Sequence, residues 1–246
     1  MLELSVLLLA GYFAGVLNAV AGGGSFLTFP ALVWAGYPPI VANATSAVAV
    51  LPGYAGGSLG FRHELRQLSV QRHLQLSAIA LIGGLCGALL LLVTPATVFA
   101  FVVPALLLFA TAMFALGPQL MAKVRKSGLP LPLLPGLFLV AIYGGYFNGG
   151  LGIMLLALFA AAGMQNLNLM NGLKNSLSFV LSFISVAAFA WAGKIIWTEG
   201  MLMMLAATLG GYQGAALARR LPVIWVKRFV VLVGLIMTMI FAYRLL

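Results

Sequence analysis

The chain has 246 residues, of which 63% are hydrophobic and 7% charged, and its formal net charge is +10. A soluble domain of this length cannot hide so much apolar surface, whereas a helical membrane protein need not, because lipid is its solvent. Long apolar runs without two-residue alternation exclude a β-barrel, and the basic residues sit mostly in short loops, the positive-inside pattern rather than a nucleic-acid footprint.

In chain order the apolar segments are 2–20, 24–36, 40–60, 74–93, 97–121, 131–147, 151–163, 167–192, 198–218 and 223–243. Segment 2–20 reads as an uncleaved first helix. Ala19-Val20-Ala21 resembles a cleavage site, but the start carries Glu3 in place of a positive charge. Segments of roughly twenty residues reach across a hydrocarbon core of about 30 Å. At about 1.5 Å per residue, 24–36 and 151–163 reach only about 20 Å. They are expected to be half-helices, each entered through a glycine break and left through a polar turn. Non-helical backbone at such depth is tolerated where protein or a cavity surrounds it, so both should lie inside the bundle.

The two short segments belong to a repeat. The first copy reads Ala21-Gly22-Gly23-Gly24-Ser25, then an apolar stretch to Gly36, then Ala42-Asn43-Ala44-Thr45-Ser46. The second reads Asn148-Gly149-Gly150-Leu151-Gly152, an apolar stretch to Gly163, then Met170-Asn171-Gly172-Leu173-Lys174-Asn175. Gly22 matches Gly149, Gly36 matches Gly163 and Asn43 matches Asn171. Matched interruptions in two halves are what a secondary transporter needs at mid-membrane. The expected architecture is an all-α polytopic membrane protein of two homologous halves: an N-terminal repeat at 1–122, a basic, proline-containing linker at 123–133, and a C-terminal repeat at 134–246. Basic stretches at Arg62, Arg66 and Arg72, at Lys123, Arg125 and Lys126, and at Arg219, Arg220, Lys227 and Arg228 are expected on the cytoplasmic side. That orientation makes the halves an inverted repeat with both chain ends outside; Arg244 runs against it.

Lys174 is the most conspicuous candidate, because an ammonium ahead of a long apolar run is costly and normally faces a cavity or a partner. With three acids in the chain and no Asp, an anionic substrate would supply the counter-charge; snorkelling to lipid headgroups is the plain alternative. Gly22, Gly23, Gly24 and Ser25, with Gly149, Gly150 and Gly152, would let backbone N–H groups and helix N-termini approach an anion. Thr28 and Asn148 are candidates to add side-chain hydrogen bonds. Asn43, Thr45 and Ser46, with Asn171, Asn175 and Ser176, form a second polar layer that would orient ligand oxygens or cap the interrupted helices. Glycine pairs such as Gly11/Gly15, Gly83/Gly87 and Gly210/Gly214 are assigned to helix packing.

The three acids, Glu3, Glu64 and Glu199, fall in loops or at the ends of the apolar segments and none in the middle of a span, which argues against a carboxylate proton relay. His63 and His73 flank a basic loop, so no metal site is expected, and the serines are read as lacking a helical histidine partner. Cys86 is expected to pack as a small hydrophobe, and the Met201, Met203, Met204 cluster as lipid-facing filler. No cofactor, metal or catalytic residue is assigned, and no enzyme activity is expected.

At these motifs the chain resembles the sulfite exporter TauE/SafE family of membrane proteins. The resemblance is carried by Asn18 to Leu32, Gly36-Tyr37-Pro38-Pro39, Ala42 to Ser46, Phe61 to Leu65, Tyr143 to Gly152, and Asn171 to Asn175. It implies export or import of small sulfur-containing anions such as sulfite, sulfoacetate or thiosulfate across a bacterial-type inner membrane; the repeat reading adds a multi-pass secondary transporter working by alternating access. The expected partners are a small anionic substrate, the lipid bilayer and a second copy of the chain, with no nucleic acid. The alternative reading is a membrane scaffold or assembly protein without transport activity.

Overall fold

The computed structural model describes residues 2–20, 23–127, 132–217 and 223–243, and every regular element among them is an α-helix. In chain order these are α1 (Leu2–Val20), α2 (Ser25–Trp34), α3 (Pro39–Gly60), α4 (Arg62–Leu65), α5 (Val70–Val93) and α6 (Ala96–Ser127). They are followed by α7 (Leu133–Tyr146), α8 (Leu151–Ala161), α9 (Leu167–Trp191), α10 (Trp197–Leu217) and α11 (Val223–Tyr243). Among the described residues Val70–Val93, Ala96–Gly117 and Leu167–Trp191 are helical stretches long and apolar enough to cross a membrane. The exposed faces carry large apolar side chains, including Phe101, Trp191 and Tyr212, as lipid as solvent requires.

The two short helices are cut to the same plan. α2 has 10 residues and α8 has 11, about 15 and 17 Å at 1.5 Å per residue, half a hydrocarbon core. Each ends in a Schellman turn. Gly36 N–H donates to Val33 and Tyr37 N–H to Leu32, while Gly163 N–H donates to Ala160 and Met164 N–H to Phe159. The glycines take φ of +90° and +86°, where a side chain is strained. Each short helix is entered through a second left-handed glycine, Gly23 at φ +111° and Gly150 at φ +75°.

Helix direction follows from close contacts. Gly11 and Gly15 of α1 meet Met203 and Ala207 of α10, so these two run parallel. Gly83 and Gly87 of α5 meet Ala141 and Ile142 of α7, again parallel. α3 and α9 are antiparallel neighbours: Gly57 faces Asn175, and Phe61 and Leu65 beyond it face Gly172. Each half therefore packs its helices against those of the other half, and the two matched helices α3 and α9 point in opposite directions. Arg62, Arg66 and Arg72 lie at the end of the bundle where α3 finishes and α9 begins, and α6 and α10 finish at that end too. Glu3 and Glu199 lie at the opposite end. Arg219, Arg220 and Arg244 fall outside the described residues.

One detail differs from the sequence expectation, and one proline sits where a helix seldom carries it. α6 continues to Ser127, so Lys123 to Ser127 of the expected linker are helical; Gln119 to Lys126 contain neither Pro nor Gly and include good helix formers such as Leu120, Met121, Ala122 and Lys123. Pro52 sits within a continuous α3. The neighbouring Gly53 accepts the side chain of Asn18, whose Nδ2 lies 2.5 Å from where a Cβ would stand.

The glycine contacts make a direct prediction. A Cβ at Gly15 would run into the Ala207 carbonyl, and one at Gly87 into the Ile142 carbonyl, whereas Gly56 meets nothing within 4 Å. Gly15→Val and Gly87→Val should each lower the thermal midpoint of the detergent-solubilised protein, by overpacking worth about 1–3 kcal/mol. Gly56→Ala should hold or raise it. Thermal unfolding followed by tryptophan fluorescence reads all three.

Candidate functional site

A break between two helices at membrane depth leaves carbonyl groups that water cannot satisfy. At the α7–α8 break three such carbonyls receive donors from three directions. Asn43 Nδ2 of α3 donates to the Tyr146 carbonyl at 3.0 Å. Ser25 Oγ, at the start of α2, donates to the Asn148 carbonyl at 3.4 Å. Tyr143 Oη of α7 donates to the Gly149 carbonyl at 2.7 Å. The Ser25 bond ties the first helix break directly to the second.

The Asn148 side chain is the hub. Its Oδ1 accepts from Tyr54 Oη of α3 at 2.8 Å, and its Nδ2 donates to Ser182 Oγ of α9 at 3.0 Å. Tyr54 and Ser182 are 128 residues apart, the spacing that relates Asn43 to Asn171. The matched helices thus hold one amide from both sides. Aromatic rings close the junction against lipid: Phe29 and Tyr143 meet Phe147 edge-on, and Phe26 meets Phe114 in the same way.

Beyond the breaks the predicted residues fall into two groups. Toward the end where α3 begins, Thr28 Oγ1 and Ser46 Oγ share a hydrogen bond of 2.6 Å, and Thr45 Oγ1 accepts from the Ile196 N–H at 3.1 Å. At that end Tyr37 Oη also donates to Glu199 Oε1 at 2.8 Å, a bond that raises the phenol's pKa. Toward the end where α9 begins, Lys174 Nζ donates to Asn171 Oδ1 at 3.3 Å, and Asn171 Nδ2 donates back to Leu167 in its own helix. Asn175 lies against Gly57. Because α3 and α9 are antiparallel, the two sets expected as one polar layer stand on opposite sides of the breaks. Gly23, Gly24, Gly149, Gly150 and Gly152 sit at the breaks themselves; Gly22 lies outside the described residues.

Lys174 is 9% exposed. Its stem lies over Gly152, where a Cβ would stand 3.3 Å from Lys174 Cδ. Gly152 matches Ser25 in the repeat, and Lys174 matches Ser46. One half thus carries small hydroxyls where the other carries a lysine and the space to seat it. The bonded acceptor of the ammonium is a neutral amide, which leaves donor capacity and charge for something else.

One sequence expectation is overturned. The serines do gain a helical histidine, because α5 and α9 pack side by side: His73 Nε2 lies 3.1 Å from Ser176 Oγ. Ser176 faces away from Lys174 around α9, so the pair joins two helices and does not enter the junction. Asn18, Tyr54 and Ser182 are site residues the sequence reading omits. Their signal is a polar residue in an otherwise apolar run, set near a helix break or at four-residue spacing from Lys174 and Ser178.

These features define an all-α membrane protein built around two interrupted helices that meet inside the bundle. The chain belongs to the sulfite exporter TauE/SafE family, whose model matches residues 7–241. It is 30% identical over 239 residues to a protein of Haemophilus influenzae named "Probable membrane transporter protein", covering 96% of this chain and 92% of the relative. It is likewise 30% identical over 241 residues to the Escherichia coli K12 "Probable membrane transporter protein YfcA", covering 96% and 88%. A Sinorhizobium relative, "Probable membrane transporter protein ORF9", is 27% identical over 238 residues, covering 94% and 89%. No solved structure matches. The chain is thus a membrane transporter by family.

The junction predicts its own weak points. Tyr54→Phe and Ser182→Ala should each cost about 0.5–2 kcal/mol, since each leaves one side of the buried Asn148 amide unpaired. The double variant should cost less than the sum, because both act on that amide. Chemical denaturation in mixed micelles measures the coupling; additive losses would separate the two contacts.

Proposed function

We propose that the protein is a secondary transporter of a small anion, a sulfur oxyanion or organosulfonate such as sulfite, sulfoacetate or thiosulfate, multi-pass in the cell inner membrane. The observation that carries this reading is Lys174: a buried ammonium bonded to a neutral amide, seated on Gly152 beside the N-terminus of α8. A helix N-terminus and a cation attract an anion together. The carbonyls of the break are already bonded, so the groups with donors to spare face a ligand that only accepts. The family match supports the sulfur-anion class.

The two halves, 1–122 and 134–246 about the 123–133 linker, are read as an inverted repeat. The opposed directions of α3 and α9, and the gathering of Arg62, Arg66 and Arg72 at one end, support that reading and a cytoplasmic side for this end. Alternating access then consists of one half rocking about the Ser25–Asn148 contact. Gly22 to Ser25 and Gly149 to Gly152 would present backbone to the anion. Asn43, Thr45, Ser46, Asn171 and Asn175 would hold the frame, each through the partner it already has or the helix it packs on. No catalytic role is assigned to Ser176 and His73; among the described residues no third group is bonded to the imidazole.

The test is uptake of labelled sulfite into proteoliposomes. Wild type should show saturable flux, and Lys174→Met should lose at least about tenfold in kcat/KM, the scale of a hydrogen bond to a charged group. Lys174→Arg should keep part of it. Equal flux in wild type and Lys174→Met would remove the charge from the mechanism.

A further inference from the structure

The junction contains a hydroxyl that no group among the described residues bonds. Asn171, Lys174, Asn175, Ser178, Ser182 and Ser185 fall within about 100° of arc on α9, at 100° per residue. This is a polar face on a helix that is otherwise apolar. Lys174 meets Gly152 of α8, Asn175 meets Gly57 of α3, Ser182 holds Asn148, and Ser185 donates to the Gly84 and Leu181 carbonyls. Ser178 stands between them, about 6 Å along the axis from Lys174 and the same from Ser182. It is 0% exposed, and its Oγ has no hydrogen-bond partner among the described residues.

A buried serine in a helix ordinarily returns its proton to the carbonyl four residues back. Ser185 does so to Leu181, and Thr111 does so to Leu107. Ser178 Oγ does not, in the rotamer it holds. A buried hydroxyl without a partner is destabilising. Alanine would fit the same space without that penalty, and the repeat shows the alternative: the position that matches Ser178 is Val50.

We infer that Ser178 is a substrate-contacting residue, donating its hydroxyl to an oxygen of the anion as it passes between Lys174 and the Asn148–Ser182–Tyr54 cluster. The inference rests on the anion-transport reading and deepens it. The three successive groups on this face, an ammonium, a hydroxyl and a second hydroxyl already accepting from Asn148, are set about 6 Å apart. Such a ladder suits a compact oxyanion moved from one donor to the next, and the ammonium at its start disfavours a cation. Ser178 is then the specificity-determining step between the charged and the neutral parts of the path.

Ser178→Ala separates this role from a structural one, because the two predict opposite signs. Without ligand, the variant should unfold at the wild-type temperature or above it, as an orphan hydroxyl has been removed. In proteoliposomes loaded to take up sulfite, thiosulfate or sulfoacetate, its KM for the transported anion should rise about tenfold, the worth of one hydrogen bond to a charged group. The stabilisation of the solubilised protein by the same anion should shrink in parallel. Saturable wild-type flux that Ser178→Ala leaves within about twofold, with equal ligand stabilisation, overturns the role of Ser178 alone. A lowered unfolding temperature with unchanged KM also overturns it. A wild type that moves none of the three anions and gains no stability from them overturns the anion-transport reading, and this inference with it.

Discussion

The carbonyl groups exposed where α7 stops and α8 begins constrain the whole arrangement. In hydrocarbon they cannot be left to solvent, so side chains from elsewhere must reach them. Asn43 comes from α3, Ser25 from α2 and Tyr143 from α7 itself. Satisfying the second break therefore draws the first half of the chain across it. The Asn148 amide, bonded to α3 on one side and α9 on the other, fixes the distance between the matched long helices. The small-residue contacts of α1 with α10 and of α5 with α7 then close the bundle around that junction. Helix association in lipid has no hydrophobic drive of its own and depends on such close approach and on interhelical hydrogen bonds.

A frame of this kind is symmetric in backbone and asymmetric in chemistry. Both short helices begin and end in left-handed glycines at matched positions. Around them, Ser25 and Ser46 of one half correspond in the repeat to Gly152 and Lys174 of the other. The hydroxyls of the first half bond to one another and to backbone, while the lysine of the second half bonds a neutral acceptor among the described residues. Two similar backbones thus do different work: one half braces the junction, and the other supplies charge to it. The scaffold alternative accounts for the bracing half. It offers no reason to bury an ammonium beside a helix N-terminus, or to leave the Ser178 hydroxyl unbonded.

Much of this was legible in the residues. Gly36 and Gly163 announce the ends of two helices too short to cross a membrane, and their equal spacing from the glycine runs announces the repeat. Lys174 stands out because charge is rare in the apolar runs. The partners were not legible. Nothing local in Asn43 says that it will donate to a carbonyl 103 residues away, and Tyr54 is a tyrosine in a glycine-rich helix until Asn148 is set against it. His73 reads as a loop residue, yet the packing of α5 on α9 brings it to Ser176. The direction of α3 against α9 likewise separates Thr45 and Ser46 from Lys174, which composition and spacing alone place in one layer. Local sequence sets where helices break; long-range packing decides which polar groups those breaks consume and which remain for a ligand.

The central claim is that an anion rests at the junction of the two breaks, against the donors of α9. The most direct measurement is a structure of the protein in lipid nanodiscs with selenite, a sulfite analogue whose selenium locates the ion. The account predicts density within hydrogen-bond reach of Lys174 or Ser178, beside the start of α8, and its loss in Lys174→Met. Selenium density confined to the basic residues at the bundle end, with the junction unchanged by the mutation, would contradict it.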